Sequence, residues 1–331
     1  MLKAVILNDT RGDFHHGCSR VMMVLEAGLR DVGFEIAARS LLRHQWWEDR
    51  AFLRALSGAD AVIINGEGTL HHGRAAGADL LKVVEHRACT APVFLVNALY
   101  QDNPEAWHGS MCALAGVWVR DSRSADELSQ AGLPCDGVML DLSLCEGALE
   151  GGDARDGIVF GDSVDKAVAD RLAGLARARK ATYLPSLSHL KRPKGKTAAA
   201  RWLRDRYIAR VERQARFAQP SLVLAKTMES YAQRLGQASL HVTGRFHGAC
   251  FSILTGTPFL AVGSNSWKNE ALLDDVGLST SRLCALEDLE RLVEDDWAFS
   301  KEELANMTAA LARSQHAARE MFATIAARAA P

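Results

Sequence analysis

The sequence predicts an α/β protein made of two domains, each built on a parallel sheet, facing each other across a central cleft. Three observations carry this. Short β-branched apolar runs alternate with amphipathic stretches along the chain. The alternation breaks at the glycine- and charge-rich "CEGALEGGDARDG" (145–157) and then restarts. A chain of 331 residues is also long for one core and comfortable for two. The expected domains are 1–150 and 151–331, the second ending in a helix.

In the first half, "KAVILN" (3–8) reads as a strand, followed by a loop rich in glycine and histidine. "SRVMMVLEAGLRDVG" (19–33) has helical spacing and a glycine stop. "FEIAARS", "ADAVIIN" (59–65), "APVFLVNAL" (91–99) and "GVWVRD" (116–121) are strand candidates. "SRSADELSQAG" then reads as a helix capped by Ser122 or Ser124, and "DGVMLDLSL" (136–144) closes the half. In the second half the strand candidates are "GIVFGDS" (157–163), "ATYLPS" (181–186), "SLVLAK" (221–226), "SLHVTG" (239–244) and "PFLAVGS" (258–264), with a helix to about Arg179 after the first. The last thirty residues read as one long alanine-rich helix.

The net charge is −1 and nearly half the residues are apolar, so composition offers no electrostatic argument for nucleic acid. No apolar run approaches the length that spans a bilayer. With the first strand starting at Ala4, no signal peptide is expected. The seven cysteines include no CxxC pair and read as free thiols. Together these predict a cytoplasmic protein. Residues 187–216 hold ten Lys/Arg against two acids. They are either a solvated helix face with a loop, or a basic rim for a phosphorylated or membrane-associated substrate at the inner face of the membrane.

Parallel α/β sheets bind ligands at the carboxyl ends of their strands, where helix N-termini direct free N–H groups into the crevice. "VTGRFHGACFSILTG" puts Arg245 and His247 just past a strand, with Gly248 expected to open a helix. This suits an anion and a proton donor, although a polar turn would also produce it. "VGSNSWKNEALLDDVGL" gathers Ser264, Asn265, Ser266 and Lys268 at the next strand end. Ser266 there reads as a cap, and Lys268 as a solvated lysine or a second cation.

In the first half, "NGEGTLHHG" (65–73) is not a Walker loop, but Gly66 and Gly68 allow close backbone approach beside Thr69. Glu67 is a candidate base. His71 and His72 are adjacent, would point apart in a strand, and predict no metal site. The loop "NDTRGDFHHGCS" (8–19) holds Asn8, Asp9, His15 and His16, more functional side chains than a turn requires. In "VRDSRS", Arg120 is either an anion ligand or the partner of Asp121.

Taken in order, "NGEGTL", "VRDSRSADEL", "TGRFHGACFSILTGTPFLAV" and "SWKNEALLDDVGL" resemble the polysaccharide pyruvyl transferase family. The match covers most of the chain. The resemblance implies a GT-B-like fold of two Rossmann-like domains with the site between them. It also implies transfer of pyruvyl from phosphoenolpyruvate to a sugar, forming a ketal, with no cofactor. The family's donor-binding Arg and His fall on Arg245 and His247, and its "RD" arginine on Arg120. Glu67 stands where the family usually has glycine.

On this reading His247 is the acid, and Glu67, Asp9 or His16 takes the hydroxyl proton. Arg245, Gly248, Lys268, Arg120, Ser264 and Asn265 form the donor side; Asn8, His15, Gly66, Gly68 and Thr69 form the acceptor side. The expected partner is a glycan or lipid-linked glycan, with peripheral membrane contact through 187–216. Two other readings stand beside it: a GT-B glycosyltransferase using a nucleotide or phosphate sugar, and a non-catalytic anion-binding protein.

Overall fold

The computed structural model describes residues 1–149, 151–152, 154–190, 198–263, 266–293 and 295–330, leaving aside the side chains of 198–201 and 292. Strands β1 (Leu2–Asp9), β2 (Phe34–Leu41), β3 (Ala61–Glu67), β4 (Val93–Ala98), β5 (Gly116–Val119) and β6 (Gly137–Val138) form one parallel sheet, ordered β2-β1-β3-β4-β5-β6. Helices α1 (His16–Asp31), α2 (Arg50–Ser57), α3 (Ala75–Leu81), α4 (His108–Cys112) and α5 (Ser122–Gln130) connect them. Every residue of β3 and β4 is buried, as expected when both faces of a sheet are covered. Val62, Ile64, Val93 and Leu95 pack on one face, while Ala61, Ile63, Phe94 and Val96 pack on the other.

The second sheet is also parallel, in the order β11-β10-β9-β7-β8. Its strands are β7 (Ile158–Ser163), β8 (Thr182–Tyr183), β9 (Leu240–Gly244), β10 (Phe259–Val262) and β11 (Leu283–Cys284). Its helices are α6 (Lys166–Ala178), α7 (Ala198–Ala218), α8 (Met228–Gly236), α9 (Phe246–Thr255), α10 (Lys268–Val276) and α11 (Leu289–Leu292), followed by α12 (Lys301–Ala329). Strand order reverses between β1 and β3 in the first sheet and between β7 and β9 in the second. The carboxyl ends at such reversals open a crevice between diverging loops.

Several boundaries differ from the sequence reading. Helix α1 starts at His16 rather than Ser19, because His15 serves as its N-cap, with Nδ1 accepting from the Gly17 amide at 3.1 Å. Helix α5 is capped by Asp121, whose carboxylate accepts from Ser124 N, and not by either serine. Gly248 does not open α9; the helix begins at Phe246 with Arg245 as N-cap. "SLVLAK" forms no strand and contributes a single bridge, Tyr183 to Leu222. His71 and His72 lie in a turn beyond β3, so their rings do not point apart and sit 5.0 Å centroid to centroid.

The two halves are tied at several places. Helix α12 packs Met307 and Ala310 into the second half's core, then Ala318, Met321, Phe322 and Ile325 into the first half's. Near the crevice, His16 N donates to Ser186 O at 3.0 Å and Ser188 N to Phe14 O at 2.8 Å. At the head of α10, the Trp267 indole donates to Asp121 Oδ1 at 3.3 Å, which carries Lys268 toward the first sheet.

Candidate active site

A cavity of about 400 Å³ lies between the sheets and is lined from both halves. From the first come His15, Cys18, Glu67, Gly68, Thr69, His71, Arg74 and Arg120; from the second, Arg245, Phe246, His247 and Lys268. His247 lies in the first turn of α9, where the Phe246, His247 and Gly248 amides have no intrahelical acceptor. Helix α9 can approach β9 this closely because Gly248 has no side chain; a Cβ there would stand 2.4 Å from Thr243 Oγ1. Gly248 therefore matters for packing and offers at most its amide.

His247 Nε2 is buried 3.4 Å from Asp141 Oδ1 and 3.9 Å from Glu67 Oε1, and neither carboxylate forms a well-aligned hydrogen bond with it. Burial alone would raise the Asp141 carboxyl, but the His247 imidazole and the Arg120 guanidinium hold it well below the usual carboxylate range. Arg120 Nη1 binds Asp141 Oδ2 at 3.0 Å, both side chains being buried. The Arg120 guanidinium also lies over the Phe246 ring, 4.4 Å from its centroid. So the partner of Arg120 is Asp141, not the adjacent Asp121. Asp141 itself was missed in the sequence because "DGVMLDLSL" reads as a single strand, whereas β6 ends at Val138 and a short 3-10 turn follows Asp141.

Glu67 ends β3 with φ of 35°, in the left-handed region that favours glycine. Its carboxylate accepts from Cys18 Sγ at 3.0 Å and Asn65 Nδ2 at 3.3 Å. Burial, then the Glu67 charge, pushes the Cys18 thiol well up, so it stays protonated and donates. His15, Cys18 and His247 place possible ligand atoms within 4.8 Å of one another. Because Nδ1 of His15 accepts the Gly17 amide, the neutral ring carries its proton on Nε2. Metal coordination through Nε2 would disrupt that cap, whereas donating to a ligand would keep it. Burial first, then His247 and Arg245, pushes His15 well below its usual range and keeps it neutral.

Arg245 donates from Nε to Asp162 Oδ2 at 2.8 Å, with Nη2 also 2.8 Å from that oxygen. Asp162 is fixed in turn by Ser186 N and Oγ at 2.9 and 2.6 Å. The expected planar clamp on a ligand is thus partly committed to Asp162, and Nη1 remains uncommitted to that carboxylate. Lys268 is half-buried and lines the cavity rather than being fully solvated. Burial, then Arg120, Arg245 and Arg74, lowers its ammonium to about 8. Such crowding of cations is unfavourable until an anion enters.

The structure does not bring Asp9 and His16 to this cavity's lining. Asp9 caps the turn at Thr10–Asp13 and pairs with Arg11 at 2.5 Å. His16 turns inward to stack on Tyr231, centroids 4.9 Å apart. Asn8 donates to Asn65 O and Thr69 Oγ1 at 2.7 and 3.0 Å and faces a neighbouring cavity. Gly66 lies against the Ala98 backbone, 2.7 Å from where a Cβ would be. Ser266 is not a cap: α10 has no side-chain cap among the described residues, and Ser266 Oγ is buried without a hydrogen-bond partner among them. Ser264 and Asn265 fall outside the described residues.

Two facing parallel sheets with a charged crevice at both strand-order reversals define a GT-B-like protein. The family model for polysaccharide pyruvyl transferase matches residues 110–266, which include Arg120, Asp141, Arg245 and His247, and the resemblance read from the sequence is borne out over that stretch; "NGEGTL" (65–70) and nearly all of "SWKNEALLDDVGL" lie outside it. Among solved structures, a protein assigned as a UDP-N-acetylglucosamine 2-epimerase from Listeria monocytogenes is similar, with a TM-score of 0.52 and 10% identity. The match covers 96% of this chain and 94% of that one. The UDP-GlcNAc 2-epimerase from Neisseria meningitidis, bound to UDP-GlcNAc, gives a TM-score of 0.50 at 9% identity over 98% and 99% of the two chains. At these identities the likeness concerns the fold alone. A search of curated protein sequences finds no match. Family and fold together support a glycan-modifying transferase.

Proposed function

We propose that this protein transfers a pyruvyl group from phosphoenolpyruvate to two hydroxyls of a sugar in a cell-surface glycan or its precursor, releasing phosphate. The observation that carries the reading is His247 at the head of α9, between the carboxylates of Asp141 and Glu67, in a cavity also lined by Arg245 and Lys268. Phosphoenolpyruvate brings a carboxylate and a phosphate, and this cavity offers cations and unpaired helix amides for both. Arg245 Nη1, the α9 amides and Lys268 hold the two anionic groups. His247, placed beside the carboxylates of Asp141 and Glu67, gives a proton to the methylene carbon. Positive charge then develops at C2, and the nearby carboxylates stabilise it.

The first sugar hydroxyl adds to C2 as Glu67 takes its proton. Phosphate leaves, and the second hydroxyl closes the ketal. Two hydroxyl protons are lost overall: one is balanced by the proton delivered to the new methyl group, the other departs with phosphate. The chain's own residues supply each of these roles. The test is acceptor-dependent phosphate release from phosphoenolpyruvate across a broad set of envelope glycans. The reading expects release with at least one glycan and none with His247→Asn. No release across the set, together with product from a nucleotide sugar, would favour glycosyl transfer instead.

A further inference from the structure

Helix α7 is held to the body by its inner edge. Ile208 and Glu212 are buried there, and Glu212 binds Lys226 Nζ at 2.7 and 2.8 Å and His189 Nδ1 at 3.1 Å. At 3.6 residues per turn, the opposite face spans an arc of roughly 140°. It carries Trp202, Leu203, Tyr207 and Phe217, exposed by 59, 61, 49 and 90%, with exposed Arg206, Arg210 and Arg213 between them. The two acids of the helix, Asp205 and Glu212, lie on the other side of the wheel. Large exposed apolar groups clustered on one helix face mark an interaction surface. Aromatic rings interleaved with arginines, and no carboxylate among them, match the boundary between lipid headgroups and acyl chains.

We propose that this face of α7 docks on an anionic lipid bilayer, with the helix lying in the headgroup plane. The charge complementarity selects that occupant. Arg206 lies over the Trp202 ring, 4.9 Å from its centroid, and among the described residues no carboxylate pairs with Arg206, Arg210 or Arg213; the three suit a continuous negative surface, where each contributes attraction. Trp202, Leu203 and Phe217 then enter the acyl boundary while Tyr207 keeps its hydroxyl among headgroups. The inner edge of α7 is bound to His189, and the neighbouring Leu187 lines the cavity between the sheets. Docking therefore sets the cavity's rim beside the membrane. The proposal does not depend on the reaction assigned to that cavity.

The test is co-sedimentation of the full chain with phosphatidylcholine vesicles, with and without added phosphatidylglycerol, across a salt series. The expected result is binding to phosphatidylglycerol vesicles that weakens as salt rises, with a blue shift of tryptophan emission lost in Trp202→Ala. Trp202→Ala/Phe217→Ala and Arg206→Glu/Arg210→Glu/Arg213→Glu should each lower binding by at least about tenfold, with thermal melting unchanged. Failure of the wild-type chain to bind phosphatidylglycerol vesicles at low salt would overturn the proposal. So would equal binding by the charge-reversed variant, or light scattering showing a dimer that the same substitutions dissolve while no vesicle binding occurs.

Discussion

A methyl group placed on the α-carbon of Gly17 would stand 2.1 Å from Cγ of His247. The first turn of α1 and the first turn of α9 thus meet face to face, and the imidazole occupies the space that glycine leaves. Gly17→Ala should displace the ring. Alanine favours the helix by about 1 kcal/mol, which offsets part of the overpacking cost. Phosphate release should fall about a hundredfold while the melting temperature moves by only a few degrees. Paired activity and melting measurements on this variant check it.

Glu67 occupies a left-handed backbone position that favours glycine, yet it brings a carboxylate to the cavity. Glu67→Gln preserves the acceptor for Cys18 but removes the base and a negative charge. Turnover should drop about 10²–10⁴-fold, while phosphoenolpyruvate binds as tightly or more tightly. Weaker binding with unchanged turnover would assign Glu67 to ligand positioning. Kinetics and titration calorimetry on one preparation distinguish these outcomes.

Lys268, lowered to about 8, is charged at neutral pH and loses its proton just above it. An anion that needs this charge should bind progressively less tightly from pH 8 upward. Lys268→Met should bind weakly throughout and show no such loss near pH 8. Affinity measured between pH 7 and 9.5 for both proteins tests this.

His16 is lowered to about 4 by burial against α8, and His241 to about 3 beneath α9. Both folded values lie below the ordinary histidine value near 6.5. Their neutral forms therefore support the fold fully above that pH. As pH falls from about 6.5 toward 4, the unfolded chain takes up protons that the folded chain refuses, and stability is lost. At pH 5, His16→Gln should lose about 1–2 kcal/mol less than wild type relative to pH 7.5. Denaturant unfolding at the two pH values measures the difference.

Much of this was legible in the sequence. The apolar runs of β1, β3, β4 and β9 announce strands buried on both faces, and Arg245, His247, Glu67 and Lys268 converge on one cavity. What was hidden depends on geometry between distant segments. Asp141 lies inside a stretch that reads as one strand and Asp162 near a strand end; the fold of each half gives them Arg120 and Arg245, and only the facing of the two sheets brings His247 to Asp141. His15 and His16 look equivalent in a loop, yet the start of α1 sends one to the cavity and buries the other against Tyr231. A side chain's orientation at a helix cap is set by the first turn, and the composition of a loop does not encode it.

The central claim is that the cavity between the sheets receives phosphoenolpyruvate against Arg245, Lys268 and the head of α9. Titration calorimetry of phosphoenolpyruvate into the wild-type chain at neutral pH, with UDP-GlcNAc as the competing ligand, tests it most directly. The account predicts saturable binding of one phosphoenolpyruvate per chain, weakened at least about tenfold in Lys268→Met. Saturable binding of the nucleotide sugar, with no heat from phosphoenolpyruvate, would contradict it.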